Sequence, residues 1–549
     1  MERTNTGKSF FQRPGFLYLL AGLLLFPAYF INLGYMPLRF DGAFRGLIAL
    51  EMILNEDYIT PTINGIFYYN KPPLYNWILV LLFKLTGNYS EFMIRLPVVL
   101  SVFLMALTVF FLVKKYYNRD FAALNAFVFA TGGAVLFGMS SVGMVDFTFA
   151  WLIYMSIMLI FHFYNKACFW RLFMVSYALT ALAFLIKGLP AIAFQGITLM
   201  VFFMYRKDVK RLFSHQHLAG IVTLLAILGS YYLVYYLNNP AHLGEAMRRL
   251  FIESSIKSAA AYGIGDVLLH LGVFPFKTLY NLLPWTILGV FLIRRDLYRQ
   301  LNREPLVRYS FWILIFNSIP YWISPGYQVK YLIPLFPLIF FLCLYFYRNF
   351  RTENPPLRRF VEYFFAGITL LFWISTVIVP LHPGLRAVEG AMYTSAILFL
   401  VFGGLFFLYL RMKSLRMQWF VVILLVARIG FNIILQPYYS DNLKETTFKE
   451  RAITAGKITG DESLYLCTPI NEDVSYYITR ERMAVLPRIF TGAYAEDVFY
   501  IFDEGQVEEL DAKGKEYKVF HKFFAEYQDK TLYLVKFLEQ DQSKPTEPQ

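Results

Sequence analysis

The sequence predicts an α-helical polytopic membrane protein with interfacial helices and a small C-terminal α/β domain. Three observations carry that expectation. The 549 residues are 57% hydrophobic and only 16% charged, whereas a soluble domain is about a quarter charged. Mean hydropathy is +0.47. Apolar runs of about 20 residues recur along most of the chain, each long enough to cross a hydrocarbon core about 30 Å thick. A soluble enzyme, a disordered tail protein and a secreted disulfide scaffold are excluded as whole-chain readings. The three cysteines, Cys168, Cys343 and Cys467, have no metal-type spacing and are too few for a disulfide framework.

The first apolar run, residues 15–35, is too long for a signal-peptide core and lacks a small-residue cleavage site after it. It predicts an uncleaved first transmembrane helix behind a polar N-terminus. Further spans centre on Phe103, Phe129, Tyr154, Tyr177, Phe194, Thr223, Ile287, Ile315, Ile339, Leu371, Phe399 and Val422. The expected total is about 13.

Basic residues fix the orientation. With the N-terminus in the cytoplasm, alternate connections hold Lys114, Lys115 and Arg119, then Lys166 and Arg171, then Arg206, Lys207, Lys210 and Arg211. The same alternation continues through Arg294, Arg295 and Arg299, then Arg348 and Arg351, then Arg411, Lys413 and Arg416. That is the positive-inside pattern of a multi-pass membrane protein, and it places the C-terminal region outside. Residues 441–549 carry 14 Lys/Arg against 21 Asp/Glu, a net of −7, so the rest of a chain of net charge +13 carries +20. The basic excess belongs to membrane loops and anionic lipid rather than nucleic acid.

Two long loops, 36–95 and 238–277, face outside. The first contains a periodic stretch at 42–54 and an apolar one at 74–85. Both are too short to span and suit interfacial helices. The chain therefore divides into a transmembrane part, 1–437, and an external α/β domain, 438–549. Strand-like runs in that domain fall at 463–467, 483–486, 498–502 and 531–537, and disorder is expected over 540–549.

Candidate chemistry concentrates in the first loop. Asp41 and Arg45 are i, i+4 on one helix face; an acid at membrane depth needs a partner or a function. The alternative for Asp41 is a helix N-cap with a local ion pair. Lys71 is held in a rigid stretch with Tyr69 and Tyr75 around it and two prolines behind it, an arrangement suited to a phosphate headgroup; the alternative is a snorkelling lysine. Asp146 opens the fourth span with no basic residue in its own connection, so its partner is another loop, a metal or substrate. Lys330 and Tyr331 place a cation and a hydroxyl on the same external side, as substrate contacts or as interfacial anchors. His270 lies on an apolar face, either as a substrate contact or as a satisfied interface residue. No HExxH, Walker, GxGxxG or Ser-His-Asp pattern is present.

These residues carry a resemblance. Asp41, Asn64-Gly65, the run Tyr68-Tyr69-Asn70-Lys71-Pro72-Pro73-Leu74-Tyr75-Asn76-Trp77, Ser90-Glu91-Phe92 and Arg95-Leu96-Pro97 resemble the bacterial aminoarabinose (lipid A) transferase and protein O-mannosyltransferase group. These are GT-C class glycosyltransferases dependent on polyprenyl-phosphate sugars. The resemblance resumes at Asp146, at 270–285 and at 330–337. It implies a GT-C fold of about 13 transmembrane helices, an inverting transfer, Asp41 and Asp146 as catalytic carboxylates, and Lys71 and Tyr331 on the donor phosphate. Arg45, Lys330, Tyr69, Tyr75 and His270 complete the expected substrate-binding set. The implied partners are a polyprenyl-phosphate-linked sugar, a membrane lipid or glycan acceptor and the bilayer, with no nucleic acid. The family's Glu before the Lys, a metal ligand, is replaced by Asn70, a poorer ligand for a hard cation, so no cofactor is established and the metal site is unknown. The resulting expectation is transfer of a sugar from a polyprenyl carrier to a lipid A-like or other periplasmic acceptor. The alternatives are a protein O-glycosyltransferase and a lipid-linked sugar transporter with Lys187-Gly188 as its intramembrane charge. Charges gathered at one surface favour the enzyme.

Overall fold

The computed structural model describes residues 13–442, 447–490, 494–525 and 529–537. The expected disorder at 540–549 lies outside these residues. The chain forms two compact units: Met1–Tyr35, Asn70–Tyr75 and Arg95–Tyr438 make the first, and Met36–Tyr69, Asn76–Ile94 and Tyr439–Gln549 the second. The division differs from a single break at 437/438, because most of the first external loop belongs with the C-terminal segment.

The first unit is helical. Among the described residues, eight helices are long and apolar enough to cross a membrane, from Glu91–Val113 to Lys413–Ser440. The pair Arg119–Ala130 and Gly133–Ser141, bent by 51°, makes a ninth if counted as one span. Pro14–Phe30 and Pro190–Tyr205 are apolar but shorter. The span expected at Ile287 is instead a short 3-10 segment, Trp285–Leu292. Its residues are drawn into the core. Trp285 is fully buried between Phe365 and Phe420, and its indole N–H donates to the Thr131 carbonyl at 3.1 Å. At the neighbouring bend the Gly133 N–H donates to the Leu283 carbonyl at 2.8 Å. A Cβ on Gly133 would lie 2.2 Å from that oxygen, so only glycine lets the two backbones meet.

Several polar groups inside the helical unit are paired from helix to helix, as an apolar solvent favours. The Ser156 hydroxyl donates to Gln195 Oε1 at 3.1 Å, and Gln195 Nε2 donates to the Ser176 hydroxyl at 2.9 Å. Asn317 Nδ2 reaches Thr198 Oγ1 at 3.2 Å. The buried Arg428 donates from Nε to the Ala28 carbonyl at 3.3 Å.

The second unit carries a four-stranded sheet in the order Leu464–Leu466, Phe499–Asp503, Lys530–Phe537, Tyr517–Ala525. The first pair is parallel and the others antiparallel. The expected strands at 463–467, 498–502 and 531–537 form. Residues 483–486 do not form one; Met483 turns left-handed, and a single bridge joins Leu466 to Arg488. The Tyr517–Ala525 strand was unforeseen because its charged, half-exposed face hides the alternation. Asp503 closes a capping box with Gln506 on the Glu504–Ala512 helix. Tyr500, Phe502, Val507, Leu510, Val535 and Phe537 fill the core beneath.

The Asp41–Leu54 helix is part of this unit. Gly42 to Met52 are almost all buried, so the helix is covered by protein rather than by lipid on its apolar side. Gly46 permits close packing: a Cβ there would lie 2.5 Å from Ile94 and 3.0 Å from Tyr476. The Leu74–Thr86 helix does keep Leu81 and Leu85 exposed. Asn64 and Gly65, both at positive φ, turn the hairpin between Thr62–Ile63 and Ile66–Phe67, the use for which Asn-Gly is suited. The buried Glu51 carboxylate accepts from Asn64 N at 2.6 Å and Thr62 Oγ1 at 2.7 Å. Burial pushes that carboxyl above the usual range, and these hydrogen bonds oppose the shift.

Candidate active site

In the helical unit a narrow cleft is lined by Asn70, Lys71, Lys187, Glu253, Lys257, Tyr327 and Tyr331 over an apolar wall of Leu189, Pro190 and Leu250. Each lining group has a local cause. Lys71 follows Asn70 into the Pro72-Pro73 pair, which fixes φ and removes backbone donors. Lys187 ends the Phe169–Lys187 helix, and Gly188 at φ 81° turns the chain away. Tyr331 lies in the Val329–Leu335 3-10 turn that precedes the Phe336–Phe350 helix.

The partner that Asp146 required is Lys187. The two form an ion pair with side chains 4% and 7% exposed. Lys187 Nζ also stands 4.2 Å from the Tyr331 ring centroid and 5.2 Å from that of Phe149, within cation–π range. Lys187, the charge named for the transport alternative, is thus paired at its helix end. Glu253 accepts from Asn70 Nδ2 at 3.0 Å and from Lys257 Nζ at 3.3 Å. Both carboxylates are thus matched to lysines, and Lys71 adds a further cation to the cleft.

The other expected residues fall differently. Lys330 is half-buried beside the cleft, with Nζ 5.9 Å from the Tyr331 ring, and is not among the lining residues. His270 sits one layer back: its Nε2 is 3.2 Å from the Tyr321 carbonyl, and the Tyr321 ring stacks on Tyr331 at 6.3 Å. Tyr75 is fully buried. In the second unit, Asp41 is the first residue of its helix rather than the cap, which is Phe40; there its charge suits the helix dipole. Arg45 does not turn to Asp41. Its guanidinium, 1% exposed, reaches Asn76 Oδ1 at 3.5 Å and the Tyr68 hydroxyl at 3.4 Å, with the Phe44 ring 5.3 Å away. Tyr69 stacks on Phe67 at 6.2 Å.

Sequence reasoning missed Glu253, Lys257 and Tyr327, and weighed Lys187 only as a transport charge. For Lys187 the signal was present: a lysine closing an apolar helix needs a counter-charge. The resemblance implies a metal ligand at position 70. Asn70 turns its amide N–H toward Glu253, and Lys257 takes the other oxygen. Among the described residues no three His, Cys, Asp or Glu side chains group to hold a cation. The donor set does not suit a divalent ion, and no step is derived through one.

The helical unit carries a basic, tyrosine-lined cleft, and the second unit carries a small sheet. A family model described as dolichyl-phosphate-mannose-protein mannosyltransferase matches residues 70–234, a stretch that includes Lys71, Asp146 and Lys187. The crystal structure of ArnT from Cupriavidus metallidurans bound to undecaprenyl phosphate superposes with a TM-score of 0.70 at 18% identity, covering 95% of this chain and 98% of that one. The apo structure of the same protein gives 0.67 over the same shares. Two proteins of Aquifex aeolicus (strain VF5), each described only as uncharacterized, also match. One is 27% identical over 335 residues, 58% of this chain and 62% of its own length. The other is 36% identical over 81 residues, 15% of this chain and 19% of its own length. The match therefore spans less than two thirds of either relative.

Proposed function

We propose that the chain is an integral-membrane glycosyltransferase that moves a sugar from a polyprenyl-phosphate carrier to a lipid A-like or other membrane-side acceptor. The observation that carries this reading is the cleft: Lys71, Lys187 and Lys257 with Tyr327 and Tyr331 over apolar walls. Such a site suits a phosphate at the head of a lipid tail. The ArnT structure of the same fold was solved with undecaprenyl phosphate bound, and that supports the choice of carrier.

In the transfer, the bond between the anomeric carbon and the carrier phosphate oxygen breaks as a bond to an acceptor oxygen forms. Positive charge develops on the sugar and negative charge on the departing phosphate. Lys71, Lys257 and the Tyr331 hydroxyl stabilise the phosphate where its charge grows. Lys187 is held by Asp146 beneath the Tyr331 ring, so the pair acts as a fixed support for that hydroxyl. The resemblance places Asp41 at the reaction centre, where a hydroxyl acceptor gives up its proton to such a carboxylate, whereas a phosphate acceptor needs no base. A protein acceptor is the competing reading, favoured by the mannosyltransferase description of the family model.

Mass spectrometry of lipid and glycopeptide extracts tests both. Cells carrying wild type are compared with Asp41→Asn and Lys71→Ala at equal protein levels. The expected result is a sugar-sized mass lost from a lipid fraction in both variants. Loss from glycopeptides alone moves the acceptor to protein. No change in any glycoconjugate, with inserted and folded protein, overturns the enzyme reading.

A further inference from the structure

The cleft is closed on one side by a contact between segments about 180 residues apart in the chain. Asn70 Nδ2 donates to Glu253 Oε1 at 3.0 Å, and Lys257 Nζ donates to Glu253 Oε2 at 3.3 Å from the next turn. Lys257 is itself anchored through its backbone. Its carbonyl accepts from the Ser324 hydroxyl, and a Cβ on Gly326 would stand 2.9 Å from its Cα, so no larger residue fits there. The carboxylate is the sole acid lining the cleft among the described residues, and donors on both oxygens occupy it. On one side of the clamp lies Lys71, directly bonded in the chain to Asn70; on the other lies Lys257, whose Nζ faces the Tyr331 ring at 5.9 Å.

We propose that Asn70, Glu253 and Lys257 form a cation-independent clamp that sets Lys71 and Lys257 in the cleft, so that phosphate binding here needs no divalent ion. The inference rests on the glycosyltransferase reading for its ligand, and on geometry alone for the clamp. An amide is what makes the clamp work. A carboxylate at position 70 would stand about 3 Å from Glu253, and two carboxylates that close repel unless a proton or a cation lies between them. Asn70→Glu should thus create a dependence on divalent ions that the natural chain lacks. Glu253 is a positioning residue: it holds two groups rather than touching the reacting atoms.

The test uses the purified full-length protein in detergent. Binding of undecaprenyl phosphate and apparent Tm are measured after EDTA treatment and again with Mg²⁺ or Zn²⁺ added. For wild type, both readouts are expected to be the same in the two conditions. For Asn70→Glu, binding in EDTA is expected to weaken by about tenfold or more, with Tm and affinity restored by the cation. In Asn70→Glu/Glu253→Gln the second carboxylate is gone, and the cation response is expected to disappear with it. Glu253→Ala is expected to weaken binding in a way no cation repairs. Wild-type binding or Tm that falls in EDTA and returns with the cation overturns the clamp, as does an Asn70→Glu protein indifferent to cations. If wild type binds no undecaprenyl phosphate in either condition, the functional reading fails, while the Tm response to cations still decides the clamp.

Discussion

Neutralising Lys187 should destabilise the protein, and neutralising its partner as well should restore it. The two side chains are 7% and 4% exposed, so Lys187→Met leaves the Asp146 carboxylate buried without its counter-charge. Removing one member of a buried pair costs about 3–5 kcal/mol, whereas replacing both by neutral groups of similar volume is often neutral. Lys187 also faces the Tyr331 and Phe149 rings at 4.2 and 5.2 Å, each contact contributing about 0.5–2 kcal/mol. Lys187→Met keeps the methylene packing, so charge is the main loss. The assay is apparent Tm at a fixed scan rate in one detergent for wild type, Lys187→Met, Asp146→Asn and the double variant. Both single variants should melt well below wild type, with the double variant recovering most of the difference. Transfer activity should stay low in all three variants. Additive losses in the double variant, or single variants as stable as wild type, would refute the reasoning.

Three further outcomes are expected. Tyr331→Phe keeps the ring under Lys187 and should leave Tm unchanged. It should lower transfer about 10- to 150-fold, the effect of losing one hydrogen bond to a charged group, about 1.5–3 kcal/mol; Tyr331→Leu should lower both. Gly133→Ala should destabilise by about 1–3 kcal/mol, read as a fall in Tm, because its Cβ would meet the Leu283 carbonyl at 2.2 Å. In the second unit, burial pushes the Asp473 carboxyl up to about 6. The folded state therefore binds this proton more tightly than the unfolded chain, and the contribution to stability falls as pH rises from about 4 to 6. Asp473→Asn should melt above wild type at pH 8, by a smaller margin at pH 5, and level with it at about pH 3.5; the opposite order would show the carboxylate to be stabilising.

Most of the fold was legible because membrane helices announce themselves through long apolar runs. Ile287 misled for the same reason. Its run is as apolar as a span, but Trp285 is claimed by the core through Thr131 and two aromatic rings, a tertiary choice that no local pattern records. The helix at 41–54 misled in the other direction. Its periodicity was correct, but its apolar face meets protein, with Gly46 against Ile94 and Tyr476. Within the site, Lys71, Asp146 and Tyr331 could be singled out because charge beside prolines or at a helix end is unusual. Glu253 and Lys257 lie in a polar loop where charges are ordinary. Only the fold brings them to Asn70, 183 positions away for Glu253.

The central claim is that the cleft around Lys71 receives the phosphate of a polyprenyl carrier. The most direct measurement is the binding of undecaprenyl phosphate to the purified protein, wild type against Lys71→Ala. Saturable binding by wild type, weakened about tenfold or more in a variant of unchanged Tm, is the predicted result; loss of a charge-assisted hydrogen bond of about 1.5–3 kcal/mol sets that scale. Absence of saturable binding by wild type, or equal affinity in Lys71→Ala, would contradict the account.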